Sequence, residues 1–287
     1  PWLVTHTAPW LTATATGPAP TSMVASTSRL SGSMRETVPA ACEVTHTEPS
    51  PKPMPMGSSP TGMRSVTTSV DVQATARPLA GDHMFLGSVH PHFGHAVLEG
   101  LARAWAWPKF AARYPQGRAL IFESELPAFA WELLRRAGVP AERTLLLDHP
   151  LEVERLHLPS PAGRTHRWLT PALVATWQTV GSSADDGEPA TDRIYLTRRS
   201  DRNRALTNED RIESAFASAG FRIIDPGRLP LSRQIEAVRR ATCLAGCVGS
   251  QMYLAAFQGP GGRTLVMAPA NFCYADDALI ATALGRR

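Results

Sequence analysis

Four of the nine histidines fall between His83 and His95, and Glu99 follows His95 at the i, i+4 spacing. If one helix runs from Gly94 to about Trp107, with Pro108 ending it, then His95, Glu99 and Arg103 share a face. Val97, Leu101 and Ala104 then take the opposite, core-facing side. A histidine beside a carboxylate can accept a proton while the carboxylate holds and tunes its ring. The commoner use of such a pair is an ordinary polar helix face, and the sequence leaves both readings open. His90-x-His92-x-x-His95 also has the donor types of a metal site, yet no Asp follows in the pattern of a metallohydrolase. The second place with chemical content is Gly246-Cys247-Val248-Gly249-Ser250. A glycine turn opening a helix presents N–H groups and a partial positive charge, which suits a phosphate. A tight turn needed only for packing reads equally well.

These groups need elements to hold them. From Arg193 to Pro269 the chain reads as alternating strands and helices. The strands are Arg193–Arg199, Phe221–Ile224, Cys243–Val248 and Thr264–Met267. The helices follow Asn208, as N-cap with Glu209 and Asp210 in the first turn, then Ser232, then Ser250. Gly220 closes the first helix and Asp225-Pro226-Gly227 makes a turn. The same alternation precedes it: a strand ending at Gly87, the His95 helix, a strand at Arg118–Phe122, and a helix from Pro127 to Gly138. Strands at Thr144–Leu147 and Leu151–Leu158 follow, then a mostly helical stretch from Trp168 to Val180. Alternation of this kind predicts an α/β fold with parallel sheets and ligands at the strands' carboxyl ends. The polar stretch Gly181–Asp192 is a hinge between two α/β units.

Composition narrows the function classes. The chain has 287 residues, 43% hydrophobic and 19% charged, as in soluble globular proteins. The net charge of +4 comes almost wholly from scattered arginine, with Lys52 and Lys109 the only lysines, so nucleic acid is not the expected partner. The four cysteines form no CxxC pair and point to a cytoplasmic, reducing setting. No run is long and apolar enough for a transmembrane helix. Residues 1–76 are rich in Thr, Ser, Pro and Ala and are expected to be a disordered tail. The expected units are therefore a tail over 1–76, one α/β domain over 77–181 and a second over 182–287.

Two separated motif sets resemble one family. Phe93-Gly94-His95-x-x-x-Glu99-Gly100-Leu101-x-Arg103-x-Trp105 is similar to the histidine-bearing helix of family 61 glycosyltransferases, especially bacterial members. Ile194-Tyr195-Leu196-Thr197-Arg198-Arg199, Arg204-x-Leu206-x-Asn208-Glu209, Gly220-Phe221, Leu231-Ser232-x-Gln234-Ile235, Ala241 and Gly246-x-x-Gly249-Ser250 then follow in that family's order. The resemblance covers about Arg77 to Gly285.

It implies a GT-B fold, two Rossmann-like domains facing a cleft, with a first domain shortened relative to many members. It also implies inverting transfer of a sugar from a nucleotide-sugar donor to a glycan acceptor, in surface or capsular polysaccharide biosynthesis. On that reading His95, steadied by Glu99, deprotonates the acceptor, with Asp82 as the alternative base. Arg198, Arg204, Asn208, Gln234, Gly249 and Ser250 are the donor-binding set, and Arg199 or Arg202 can replace the first two. Caps and packing account for Asn208 and Gln234 as well. No cofactor and no essential divalent cation are expected, although Asp276-Asp277 offers carboxylates. Relatives carry a His and an Asn shortly after the Gly-Ser pair, where this chain has Tyr253 and Leu254; the difference bears on donor choice and on activity. The competing readings are a non-catalytic nucleotide-sugar or glycan-binding module, and a metal hydrolase using His90, His92 and His95.

Overall fold

The computed structural model describes residues 25–26, 76–182, 192–200, 206–268 and 275–286. Two parallel sheets form its frame. The first contains β1 (Ala25–Ser26), β2 (Arg77–Gly87), β3 (Ala119–Ile121), β4 (Thr144–Leu146) and β5 (Leu151–His157), in the order β1-β5-β2-β3-β4. All its neighbours run parallel except β1, whose Ala25 and Ser26 pair antiparallel with His157 and Leu156. The remainder of the Thr/Ser/Pro-rich tail lies outside the described residues.

The second sheet has the order β11-β10-β8-β9, all parallel, from β8 (Asp192–Leu196), β9 (Arg222–Ile224), β10 (Ala241–Cys247) and β11 (Arg263–Met267). In each sheet one strand has its successor on one side and a later strand on the other: β2 between β3 and β5, β8 between β9 and β10. Such a reversal leaves a crevice at the strands' carboxyl ends.

The long helix expected from Gly94 to Trp107 is instead broken. A short turn α1 (Phe93–His95) passes into a π-turn at Ala96–Gly100, then a 3₁₀ turn at Ala104–Ala106. Pro108 does not stop a helix but sits in the first turn of α2 (Trp107–Arg113), where its missing N–H costs nothing. Gly100 permits the break, because a Cβ there would lie 3.1 Å from a Val89 methyl. The expected core face survives, with Val97, Leu101 and Ala104 buried. Arg103 does not stay beside His95 and Glu99: its Nε donates to the Pro159 carbonyl at 3.1 Å and its guanidinium lies over Phe85.

Helices α3 (Ala128–Arg136) and α4 (Pro171–Ser182) complete the first half, and α5 (Glu209–Ser218), α6 (Leu231–Arg239) and α7 (Asp276–Ala283) the second. Two caps differ from expectation. Asn208 makes no side-chain cap bond, and α6 begins after Pro230, whose fixed φ starts the helix without Ser232. The segment after Gly249 is a 3₁₀ helix, Ser250–Phe257, with Met252 to Phe257 all buried. One apolar core runs through both halves, joining Met84, Leu98 and Trp177 to Ile194, Leu244, Met252 and Phe257. Trp177 Nε1 donates to the Val97 carbonyl at 3.0 Å and so supports the π-turn from beneath.

Asp82, the alternative base, is occupied in the sheet. Its carboxylate accepts from Arg155 Nε and Nη2 at 3.0 and 2.8 Å and pairs with buried His157 at 2.9 Å. Arg155 first, with His157, holds this carboxyl below the ordinary range against the opposing effect of burial. The depressed value means stability present at neutral pH and lost as pH falls through it. Asp82→Asn should therefore lower stability at pH 7 by roughly 1–3 kcal/mol, since buried His157 loses a charged partner. The gap from wild type, measured by urea denaturation across pH, should close in acid.

Candidate active site

The carboxyl end of β2 delivers the histidine segment. After Gly87 the chain runs through Val89 to His90, His92 and His95. His95 is half-exposed, and its Nδ1 pairs with Glu99 Oε2 at 2.8 Å across one turn. That bond holds Nδ1 and leaves Nε2 as the edge available to a substrate. Glu99 first, and the more distant Asp276 charge last, raise the His95 pKa, with partial burial opposing them. His95 in turn holds the Glu99 carboxyl below its ordinary range, against the opposing effect of partial burial. His90 stacks on His92 at 5.0 Å between centroids and leans on His95 at 4.9 Å. Burial lowers the His90 pKa, and the neighbouring His95 and His92 lower it further. The three imidazoles thus pack as rings; among the described residues no three His, Cys, Asp or Glu are placed to hold a metal ion.

The carboxyl ends of β8 and β10 deliver the second group. Thr197 and Arg198 follow β8, and Val248, Gly249 and Ser250 follow β10. Arg198 is buried, and its Nη1 donates to the Val248 carbonyl at 3.0 Å, tying the two strand ends together. Gly249 has φ 149° and ψ 170°, a region open to glycine, and a Cβ there would run into the Arg198 guanidinium. Below this turn, Glu209 Oε1 accepts from Tyr195 Oη at 3.0 Å, Thr197 Oγ1 at 2.8 Å and the Arg198 amide at 3.4 Å.

Gly94 joins the two groups. A Cβ built on it would lie 3.0 Å from Ser250 Cβ and 2.9 Å from the Tyr253 ring. The residue before His95 therefore rests directly on the first turn after Gly249.

Comparison with known proteins decides what this pairing belongs to. The family model described as Glycosyltransferase 61 matches residues 93–267, more than half of the chain, from the His95 turn to the end of β11. The chain belongs to glycosyltransferase family 61. It is thus an enzyme acting on a sugar donor and an acceptor. No curated protein matches it. Among the described residues no helix is long and apolar enough to cross a membrane.

The remaining sequence-selected residues of this glycosyltransferase fall in different places. Ser250 is exposed at the start of the 3₁₀ helix. Asn208 is exposed beside the start of α5. Gln234 donates its amide to the Pro226 and Leu229 carbonyls at 2.9 and 2.8 Å, fastening the loop before α6. Arg199 pairs with Glu213 and Asp210 on α5. Arg204 and Arg202 lie outside the described residues.

One group escaped the sequence reading. A small hairpin, β6 (Gly163–Arg164) with β7 (Trp168–Leu169), follows β5 and replaces the expected start of α4 at Trp168. At its tip His166 has φ 60°, and its backbone N–H and ring Nδ1 both bind Asp276, at 2.7 and 2.5 Å. Asp276 is buried at the start of α7 and also accepts from Tyr253 Oη at 2.9 Å. The adjacent Asp277 is raised to about 6 by burial and, secondarily, by Asp276. A carboxyl raised above its unfolded value costs stability as pH climbs through that interval. Asp277→Asn should therefore raise the thermal midpoint by about 2–4 °C at pH 7.5. The gain, followed by calorimetry, should vanish below pH 4.

Proposed function

We propose that the chain transfers a sugar from a nucleotide-sugar donor to a glycan hydroxyl with inversion, using two Rossmann-like units in a GT-B arrangement. The contact of Gly94 with Ser250 and Tyr253 carries this reading, because it sets a proton acceptor beside an anion-binding turn. The donor's diphosphate would lie against the Gly249–Ser250 turn, with the Arg198 guanidinium beneath it and helical N–H groups in front. Charge grows on the leaving diphosphate in the transition state, and fixed donors of this kind stabilise it there.

His95 takes the acceptor's proton at Nε2 as that oxygen attacks the anomeric carbon from the face opposite the diphosphate. The C–O bond to phosphate breaks, its electron pair leaves on the phosphate oxygen, and one displacement inverts the centre. Glu99 keeps the His95 ring in the orientation this requires. The raised His95 pKa sets the acid limb of activity, since only the neutral ring accepts a proton. The scheme assigns no essential divalent cation. The surface-polysaccharide setting rests on the likeness to bacterial members alone.

The test is a panel of UDP-glucose, UDP-N-acetylglucosamine and GDP-mannose, read by donor hydrolysis and by the anomeric configuration of any product. Turnover of one donor by wild type, with the anomeric configuration inverted, supports the reading. Turnover that survives intact in His95→Ala, or a retained configuration, overturns it.

A further inference from the structure

The hairpin follows β5, which pairs with β2 on the side opposite β3, so the hairpin and the His95 segment leave the first sheet at adjoining strand ends. The strand leading into the tip, β6, packs against the π-turn that carries Glu99. On its far side the tip is tied through Asp276 to Tyr253, which packs against Gly94 and follows Ser250 by three residues. The tip is therefore joined both to the turn bearing Glu99 and to the segment that follows the glycine turn.

The His166 ring is nearly half-exposed, whereas the carboxylate that holds its Nδ1 is buried. The bond from Nδ1 to that carboxylate makes Nε2 the acceptor nitrogen of the neutral ring. A turn alone would not need an imidazole at a φ of 60°, where glycine or asparagine is favoured. A side chain fixed by two bonds to one buried carboxylate, on a backbone of this kind, is what a preorganised contact requires.

Resting on the function proposed above, we propose that His166 is a substrate-contacting residue that accepts a hydrogen bond from a hydroxyl of the transferred sugar, with Asp276 as its positioning residue. A site built to bind a hydroxyl discriminates strongly between sugars, because its polar atom is left unpaired by the wrong one.

The test uses His166→Asn, which keeps a residue that tolerates this backbone, and Asp276→Asn as a second variant. Binding of UDP, GDP, UDP-glucose, UDP-N-acetylglucosamine and GDP-mannose is measured by calorimetry, with kcat and KM for any donor turned over. His166→Asn should weaken the preferred nucleotide-sugar by about tenfold, the size of one lost buried hydrogen bond, and leave the free nucleotide unchanged. Asp276→Asn should give a smaller loss with the same selectivity, which general damage to the fold would not produce. Equal affinity of wild type and His166→Asn for the nucleotide-sugar overturns the inference and leaves the proposed function standing. An equal loss for nucleotide and nucleotide-sugar overturns it too, placing His166 at the phosphates. If no nucleotide or nucleotide-sugar binds wild type, the reading beneath it fails as well.

Discussion

His95→Ala is expected to lower kcat by about 10²–10⁴-fold while leaving donor affinity near that of wild type, the range for removing a positioned general base. The ring is half-exposed and, among the described residues, its side-chain hydrogen bond is to Glu99, so the fold should survive its loss. Circular dichroism and thermal unfolding would verify that, and steady-state kinetics on the best donor would measure the effect. A matched fall in donor affinity would mean that His95 binds the donor and does not move a proton. Across pH, wild-type kcat/KM should fall on the acid side of the raised His95 pKa, as the ring becomes protonated. Glu99→Gln removes the first cause of that elevation, and so should move the acid limb to lower pH.

Gly249→Ala should act on the donor side. At φ 149° any side chain is strained by about 1–3 kcal/mol. The added Cβ also occupies the place of the Arg198 guanidinium, so either the turn or the arginine must move. Donor affinity should fall by about 10–100-fold, the effect of disturbing one charge-assisted contact together with the N–H cradle. Calorimetric titration with the donor measures this. Loss of the Arg198 bond to Val248 should also lower the thermal midpoint, which sets this variant apart from His95→Ala.

The strands were legible in sequence because β-branched and aromatic runs are local signals. The runs around Ile194, Ile223, Leu244 and Val266 all lie in the second sheet, with ends within three residues of expectation. Gly249 was legible as a turn, and its contact with Arg198 extends that reading without replacing it. The break after His95 was not legible, since periodicity cannot see Val89 pressing on Gly100 or Trp177 bonding Val97. His166 was invisible for a plainer reason: the carboxylate that gives its ring an orientation lies 110 residues away. Trp168 looked like a helix start because Pro171 soon follows, but its backbone pairs with Arg164 across a three-residue turn.

The apolar core shared by the two halves has a consequence for anyone wishing to recombine them. In the 3₁₀ segment Met252, Leu254 and Phe257 are shielded partly by α4, which belongs to the first half, and Gly181 at its end meets the Phe257 carbonyl. A second half excised between α4 and β8 and grafted onto a foreign partner would carry bare hydrocarbon where α4 had been. Chimeras of the two halves should therefore keep α4 with the second, treating the crossover in sequence and the seam in space as different places.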